Sequence, residues 1–192
     1  MKRKEKCEYG YVRSQKKRML FGALLMIAIG VAIFILGLLL NKFEKANVFT
    51  IIAVLFVLPM ARYLTSWIVL LPFRTPEEAL YERVREQLPE GAVLLSDYVF
   101  TSGERVMGLA FLVLTDNEYI GLGARKNEKL PKMKEYLSDA LKKRAIPGKF
   151  VLCGEEEEFF AKLKKVSEVK RTKEERQEER QELLDFLRSL SV

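Results

Sequence analysis

The chain has 192 residues, 33 basic and 26 acidic side chains, no histidine and two cysteines, and its net charge is +7. The absence of histidine excludes Ser-His-Asp and Cys-His catalysis as well as metal sites built from imidazole. The two cysteines, Cys7 and Cys153, lie far apart in the sequence, so they predict neither a disulfide framework nor a zinc site.

The positive charge is concentrated near the amino terminus. Residues 1–18 contain eight basic and two acidic side chains, whereas residues 75–192 contain 21 basic and 23 acidic side chains. A domain that binds nucleic acid concentrates basic side chains to neutralise phosphates. The nearly neutral charge of residues 75–192 argues against a nucleic-acid partner and favours anionic lipid as the partner of the basic tail at residues 1–18.

Two long apolar runs follow this tail, residues 19–40 and residues 48–73. The first run holds 22 residues without a charge. As a helix it would cover roughly 33 Å, which spans a hydrocarbon core of about 30 Å and exceeds the apolar region of a cleaved signal peptide. A short polar segment separates the runs, so the sequence predicts a transmembrane helical hairpin over residues 19–74, with helices at about 19–40 and 47–72.

Basic residues around the runs predict the orientation of the hairpin. The connecting segment contains only Lys42 and Lys45 as basic residues. By the positive-inside rule both termini lie in the cytoplasm, and the chain is a multi-pass protein of the cell membrane. We expect the eight basic residues of the tail to contact anionic lipid headgroups: Lys2, Arg3, Lys4, Lys6, Arg13, Lys16, Lys17 and Arg18.

The second run is interrupted by Pro59 and Arg62. We expect a kink near Pro59, because proline removes a helical hydrogen bond. Arg62, Trp67 and Arg74 are expected to anchor the helix at the cytoplasmic interface, where arginine extends its charge toward water and tryptophan prefers the headgroup region. An alternative leaves Arg62 inside the membrane as part of a pathway.

Small residues in the first run predict close helix packing. Gly30 and Gly37 lie with Ala28 and Ala32 on one broad side of the helix. Small side chains let two helix backbones approach closely. We expect this side to pack on the second helix of the same chain, with a dimer contact as the alternative.

Residues 75–166 predict a small cytoplasmic α+β domain with the element order α-β-β-β-α-β-α and a largely antiparallel sheet. Thr75 as N-cap with Glu78 as its capping-box partner marks the start of the first helix. Apolar runs bounded by turn residues predict four strands, at 92–100, 105–115, 118–123 and 149–153. The other helices are expected at 130–144 and after Gly154.

Residues 167–192 predict a charged C-terminal helix. Its end carries a narrow apolar stripe formed by Leu183, Leu184, Leu187 and Leu190. The stripe covers roughly two turns, which is too short to indicate a coiled coil. It either folds back on the α+β domain or meets a second copy of the chain.

The order of helix, three strands, helix and strand over residues 76–153, with the pattern at 106–126, resembles the core of restriction-endonuclease-like proteins of the NERD type. In that family an aspartate near the start of the second core strand and an acid-x-Lys motif on the next strand hold a divalent metal that activates water. Here the second strand begins Arg105-Val106-Met107-Gly108, and the third ends at Arg125-Lys126 without an acid. The resemblance therefore transfers a fold but no catalytic residue.

Other carboxylates near these strands keep an enzymatic alternative open. A displaced metal site for a phosphodiesterase or nuclease would use Asp97, Glu104 and Asp116. In the competing interpretation these three acids and Glu118 lie in turns and at solvated edges of the sheet.

We expect a membrane-anchored cytoplasmic interaction or regulatory module without catalytic activity, cofactor or metal. The alternatives are the metal-dependent phosphodiesterase and an accessory subunit of a membrane transport complex. A protein partner or self-association through the C-terminal helix is expected. The residues expected to form a partner surface are Arg125, Lys126, Lys129, Lys132, Leu183, Leu184, Leu187 and Leu190.

Overall fold

The computed structural model describes residues 4–40, 48–102, 105–115, 118–125, 129–166 and 173–191, and it describes the side chains of the last range from residue 181 onward. The chain forms two compact units. One is Arg13–Pro72, named here the helical unit. The other combines Met1–Val12 with Phe73–Val192 and is named here the sheet domain.

The helical unit is built from α1 (Tyr11–Leu40), α2 (Val48–Leu55) and α3 (Val57–Leu70). The first two residues of α1 belong to the sheet domain. Helix α1 begins eight residues before the apolar run that predicted it. Residues 13–18 continue the helix because arginine, lysine and glutamine are good helix formers. The connecting segment 41–47, with Lys42 and Lys45, lies outside the described residues.

A break at Phe56 separates α2 from α3, and Pro59 explains its position. Proline cannot donate a hydrogen bond to the carbonyl four residues earlier, here that of Leu55, and its ring crowds that carbonyl. The main-chain N–H of Phe56 instead donates to the carbonyl of Ala53 at 3.2 Å, which is a tighter turn. The interruption lies three residues before Pro59, close to where a kink was predicted.

Glycines of α1 provide close contacts with the other helices of this unit. A methyl group placed on Gly22 would lie 3.0 Å from the ring of Tyr63, and one on Gly30 would lie 3.4 Å from the carbonyl oxygen of Ala53. The packing predicted around Gly30 within one chain is confirmed, because a methyl group added there would be in van der Waals contact with Ala53 and Phe56 of the following helical stretch. Two small residues expected on this side are exposed instead: Ala28 and Ala32.

Two helical stretches, Tyr11–Leu40 and Val48–Leu70, are long and apolar enough to cross a membrane. Large apolar side chains cover their outer surfaces, and Phe21 and Leu58 are 68% and 70% exposed. Contact of so much apolar surface with water is unfavourable. A continuous exposed apolar surface of this kind is typical of helices covered by lipid or by a partner.

The sheet domain contains a four-stranded sheet in the order β1 (Val93–Thr101), β2 (Val106–Leu114), β3 (Glu118–Gly123) and β4 (Lys149–Cys153). The first three strands pair antiparallel, as predicted, whereas β3 and β4 pair parallel. Helix α5 (Leu130–Lys143) connects the parallel pair, because a parallel connection must cross back over the sheet. The sheet is therefore mixed.

Each face of the sheet buries a separate apolar core. Helices α4 (Glu78–Glu86) and α6 (Glu156–Lys165) cover one face through residues such as Val84 and Phe159. Helices α5 and α7 (Lys173–Leu190) cover the other face, with the segment around Cys7. Strand β2 is buried almost throughout, which explains its nearly continuous apolar sequence.

The start of α4 differs from the predicted capping box. Helix α4 begins at Glu78, and its N-cap residue Glu77 makes no side-chain capping hydrogen bond. The hydroxyl of Thr75 donates instead to Oδ2 of Asp97 at 2.8 Å. The cap prediction was wrong because a buried carboxylate from β1 competes for that hydroxyl.

Helix α7 folds back on the sheet domain. Leu183 and Leu187 are buried in the core on the α5 face, and Leu184 and Leu190 pack against it in part. Of the two outcomes that the sequence left open, the structure therefore shows the contact within one chain. The prediction that Leu183 and Leu187 form a partner surface was wrong, because the sheet domain itself covers these side chains.

Candidate functional site

Asp97 is the only charged side chain that is buried among the described residues, with 4% of its surface exposed. Its Oδ2 accepts hydrogen bonds from the main-chain N–H of Val12 at 3.1 Å and from the hydroxyl of Thr75 at 2.8 Å. The main chain of Gly10 also hydrogen-bonds to this carboxyl. Val12 lies in the first turn of α1 and Thr75 follows α3, so Asp97 holds the chain on both sides of the helical unit.

The carboxylate of Asp97 caps the amino-terminal end of α1. The first N–H groups of a helix have no partner within the helix, and Gly10, directly before α1, has no side chain to supply one. A negative charge there also interacts favourably with the helix dipole. Asp97 adopts φ +52°, a left-handed conformation that aspartate tolerates better than most residues.

Burial raises the pKa of Asp97 above its ordinary value. The hydrogen bonds from Thr75, Val12 and Gly10 and the positive charge of Lys4 favour the ionised form and oppose this shift. The folded protein therefore holds this proton more tightly than the unfolded chain does.

The segment before α1 belongs to the sheet domain. The carbonyl of Cys7 accepts a hydrogen bond from the N–H of Ser96 at 2.9 Å. The ring of Tyr9 stacks on Tyr81, with the centroids 4.3 Å apart. The lysines of this segment predicted a lipid-contacting tail, whereas its tyrosines are typical of packing against a domain.

The predicted lipid-contacting residues divide into three groups. Lys4 and Lys6 donate to the carbonyls of Tyr9 and Ser191 within the sheet domain. Lys16 donates to the carbonyl of Leu71 at 2.9 Å within the helical unit. The residues with exposed side chains are Arg13, Lys17 and Arg18, whereas Lys2 and Arg3 lie outside the described residues.

Of the predicted interface anchors, Arg62 lies near the middle of α3, Trp67 lies near its end, and Arg74 follows its last residue by four positions. Arg62 and Arg74 are exposed and Trp67 is half-buried. Tyr63, next to Arg62, packs on Gly22, which lies four residues after Arg18. Arg62 therefore lies about one helical turn further along α1 than Arg18.

Of the carboxylate set of the enzymatic alternative, the structure describes only Asp97, whose carboxyl is engaged with Val12 and Thr75. Glu104 and Asp116 lie outside the described residues. Among the described residues no group of three or more acids or cysteines could hold a metal ion.

A groove of about 720 Å³ lies between α5, the start of β2, the loop after β3 and α7. Two acidic side chains line it, Glu135 and Asp139. Its floor includes the apolar residues Met107, Phe186 and Leu190. We name it the basic groove because six cations line it: Arg105, Arg125, Lys129, Lys132, Lys143 and Arg144.

The cations lie in two groups along α5. Groove-lining positions of α5 recur every three or four residues and so share one face of the helix over about 17 Å: 132, 136, 140 and 143. The N–H of Ala124 donates to the carbonyl of Gly108 at 3.0 Å, which brings Arg125 beside the start of β2 and Arg105. We name Arg105, Arg125, Lys129 and Lys132 the Arg125 end of the groove. Lys143 and Arg144 lie at the other end.

Two arginines of the groove lie over aromatic rings. The guanidinium carbon of Arg125 is 4.6 Å from the ring centroid of Phe73, and that of Arg144 is 4.8 Å from Phe186. Phe73 is fully buried and lies on Gly108, where an added methyl group would be 2.6 Å from its ring. These contacts hold the guanidinium groups in place by cation–π attraction.

The structure brings part of the predicted partner surface together. Arg125, Lys129, Lys132 and Leu190 all line the basic groove, whereas Lys126 lies outside the described residues. Three further cations of the groove were not predicted from the sequence: Arg105, Lys143 and Arg144. The helical spacing from position 132 to position 143 could have indicated Lys143, but no local pattern places Arg105 beside α5.

Both cysteines are free and buried. Burial raises the pKa of the Cys7 thiol and of the Cys153 thiol to about 11. Thiols with a raised pKa are poor nucleophiles at neutral pH, because the thiolate is the reactive form. These residues serve as packing groups in the two cores.

Two features of the sheet domain therefore stand out: a buried carboxylate that joins the chain on both sides of the helical unit, and a groove lined mainly by cations. Both follow from the side chains and contacts of this chain alone. In comparisons with known proteins, no family model, no curated protein and no solved structure matched the chain.

Proposed function

We propose that this chain is a two-pass membrane protein whose sheet domain works in the cytoplasm as a non-catalytic recognition module, with the basic groove as its contact surface. One observation carries the proposal. Six cations line a single groove, while residues 75–192 as a whole contain 21 basic and 23 acidic side chains. Concentrating one charge on a concave surface favours an anionic partner.

The helical unit supports the membrane part of the proposal. Its two apolar stretches have 30 and 23 residues, enough for about 45 and 35 Å of helix. Their exposed surface is apolar in the described structure, which suits lipid and not water. Lipid contact would remove that surface from water without any protein partner.

Charge supports the cytoplasmic orientation. Arg13, Lys17 and Arg18 are exposed near the start of α1, and Tyr63, next to Arg62, packs on Gly22, about one helical turn after Arg18. The segment 41–47 at the other end contains two lysines and one glutamate. The positive-inside rule therefore favours a cytoplasmic location for both termini.

The contacts of Asp97 support a sheet domain that is tethered to the apolar helices. Val12 and Thr75 both donate hydrogen bonds to Asp97, and the residues between the two compact parts of the sheet domain, 13–72, form the helical unit. The sheet domain and the apolar helices therefore belong to one chain, and a ligand of the sheet domain would be recruited to the membrane.

Location and orientation are tested by labelling the full chain in membrane vesicles. Glu157 is exposed on α6, so Glu157→Cys provides a reactive thiol, while the native thiols are buried. We expect an impermeant maleimide to label this variant in inside-out vesicles and not in intact cells. Labelling from the outside, or release of the chain from membranes by alkaline carbonate, would contradict the proposal.

The groove is tested separately with a photo-crosslinking amino acid in place of Tyr136, which lines it. We expect adducts in native membranes that disappear when Lys129→Glu and Lys132→Glu are added. Lys164→Glu with Lys165→Glu is the matched control, because these lysines are exposed on α6 outside the groove. Equal adduct yields in both double variants would exclude the groove as the contact surface.

A further inference from the structure

We infer that the basic groove binds a protein segment that carries acidic residues at two points about 17 Å apart and uncharged residues between them. The inference rests on the function proposed above and specifies the partner of the same groove. It follows from the order of the charges along α5 and from the surface that lies between them.

The charges along the groove face of α5 follow the order positive, negative, negative, positive. Lys132 and Lys143 lie 11 residues apart, which at about 1.5 Å per residue separates them by about 17 Å. Glu135 and Asp139 line the groove between these two lysines. The groove therefore presents two separate positive ends and a negative middle, and not one continuous positive surface.

The Arg125 end of the groove offers three exposed cations to a partner: Arg105, Lys129 and Lys132. Arg125 lines the same end, but its guanidinium already lies over the ring of Phe73, so we assign the contacts with the partner to the other three side chains. A carboxylate at this end gains charge-assisted hydrogen bonds from an arginine and from lysines.

The other end of the groove carries Lys143 and Arg144, and both side chains are exposed. The guanidinium carbon of Arg144 lies 4.8 Å from the ring centroid of Phe186, which is buried in the core. A guanidinium stacked on a ring keeps its edge N–H groups available for carboxylate oxygens. Less conformational entropy is lost on binding when the side chain is already held.

The surface between the two ends suits an apolar side chain. Tyr136 and Ala140 lie there on the groove face of α5, and both are half-buried. The hydroxyl of Tyr136 donates to the carbonyl of Thr101 at 3.2 Å, and its ring stacks on Phe100 with the centroids 5.8 Å apart. The ring is therefore held in place, and an apolar residue in the middle of the partner segment would remove its open part from water.

The order of the charges selects among anionic partners. A single phosphate or one lipid headgroup would neutralise only one of the two positive ends. A nucleic acid carries a phosphate at every nucleotide, so it would bring negative charge against Glu135 and Asp139, and like charges repel. A protein segment with separated acids avoids this repulsion. In an extended chain about five residues cover the distance between the ends.

The test uses the full chain in phosphatidylcholine nanodiscs and measures acylation of single lysines by mass spectrometry while a peptide with blocked termini is added. The peptide EEALAEE has two acidic pairs five residues apart, and AEEEELA has the same composition with contiguous acids. Lys132 and Lys143 report on the two ends of the groove, whereas Lys164 and Lys165 report on the exposed surface of α6. Two further samples contain phosphatidylglycerol or glycerol 3-phosphate and no peptide.

We expect EEALAEE to slow acylation of Lys132 and Lys143 together and to leave Lys164 and Lys165 unchanged. AEEEELA should require a concentration about fivefold higher or more, because its acids meet the two acids in the middle of the groove. The double variant Glu135→Gln with Asp139→Asn should remove this difference between the peptides.

Each positive end is tested by its own charge reversal. Lys129→Glu at one end and Lys143→Glu at the other should each weaken the binding of EEALAEE by about fivefold or more, since attraction becomes repulsion. Lys132, which is retained in both variants, reports the affinity. Lys164→Glu is the matched control and should leave the affinity unchanged, because this lysine is exposed on α6 outside the groove.

The inference is overturned if both peptides bind equally well, if only one of the two charge reversals weakens binding, or if EEALAEE protects all four lysines equally. Protection of Lys132 by phosphatidylglycerol or glycerol 3-phosphate, without protection by EEALAEE, would overturn it in favour of a phosphate ligand. If the peptide fails while the groove variants still abolish the crosslinks, the recognition function stands without this partner. If the crosslinks are also unaffected, both proposals fall.

Discussion

The main-chain N–H of Val12 donates a hydrogen bond of 3.1 Å to Asp97, a residue 85 positions later in the chain. Gly10 precedes α1 and has no side chain, so a strand of the sheet domain supplies the cap of this helix. The same carboxyl accepts a hydrogen bond from Thr75. One buried side chain thus connects the sheet to the segments before and after the helical unit.

Replacing Asp97 separates its role as an acceptor from its charge. Asp97→Ala should lower the free energy of unfolding by roughly 2–4 kcal/mol, because the N–H of Val12 loses its partner and alanine fits φ +52° poorly. Asp97→Asn keeps an acceptor and tolerates that φ, so it should cost less. Thermal unfolding of the full chain in mild detergent measures both variants. Equal losses of unfolding free energy in the two variants would show that the hydrogen bonds of Asp97 contribute little to stability.

The pH dependence of stability tests the burial of this carboxyl. Burial raises the folded-state pKa of Asp97 above its ordinary value of 3.8, so protonation favours the folded state. This contribution is fully present below about pH 3.8 and is lost as the pH rises through the raised folded-state pKa. The Tm of the wild-type chain relative to Asp97→Asn should therefore increase when the pH is lowered from 7 toward 4. A difference in Tm that does not change with pH would contradict the buried, proton-retaining carboxyl.

Thr75 distinguishes a local helix cap from a contact with β1. If Thr75 capped α4, Thr75→Asp would be tolerated, because aspartate is a good N-cap residue. In the structure its hydroxyl lies 2.8 Å from Asp97, so a second carboxylate there should destabilise the fold by like-charge repulsion. Thr75→Val should cost about 1 kcal/mol through the lost hydrogen bond, and Thr75→Ser less. A stable Thr75→Asp variant would restore the capping interpretation.

Gly108 tests the position of Phe73 beneath Arg125. Gly108→Ala places a methyl group 2.6 Å from the ring, and overpacking of this kind costs about 1–3 kcal/mol. The double variant with Phe73→Ala should lose less stability than the sum of the single variants, because the added methyl then meets open space. Gly154→Ala is the control, since its added methyl would lie 3.4 Å from Leu130. Strict additivity of the first pair would show that Phe73 does not lie on Gly108.

Leu187 tests whether α7 belongs to the domain core. The side chain is fully buried on the α5 face, so Leu187→Ala should cost about 2–5 kcal/mol, and the partly exposed Leu184→Ala clearly less. The mass of the protein in detergent should not change. If Leu187→Ala preserved the Tm and altered the oligomeric state instead, the leucine stripe would face a second copy.

Local patterns predicted much of the sheet domain. Strands β3 and β4 occupy residues 118–123 and 149–153 as predicted, and α5 ends within one residue of its predicted end. These elements were predictable because apolar periodicity and turn residues act over a few neighbouring positions. The parallel pairing of β4 was not predicted, since pairing depends on the path of α5. The resemblance to restriction-endonuclease-like proteins stays a prediction.

The sequence by itself determined the two long apolar helices, the order of the strands along the chain and the absence of histidine chemistry. Each depends on composition or on spacing within one element. Only the tertiary structure decided that Asp97 caps α1, and that Arg105 and Lys132 line one groove with Arg144. Such contacts join residues that are distant in the sequence, and their free energy depends on burial and geometry that no local pattern contains.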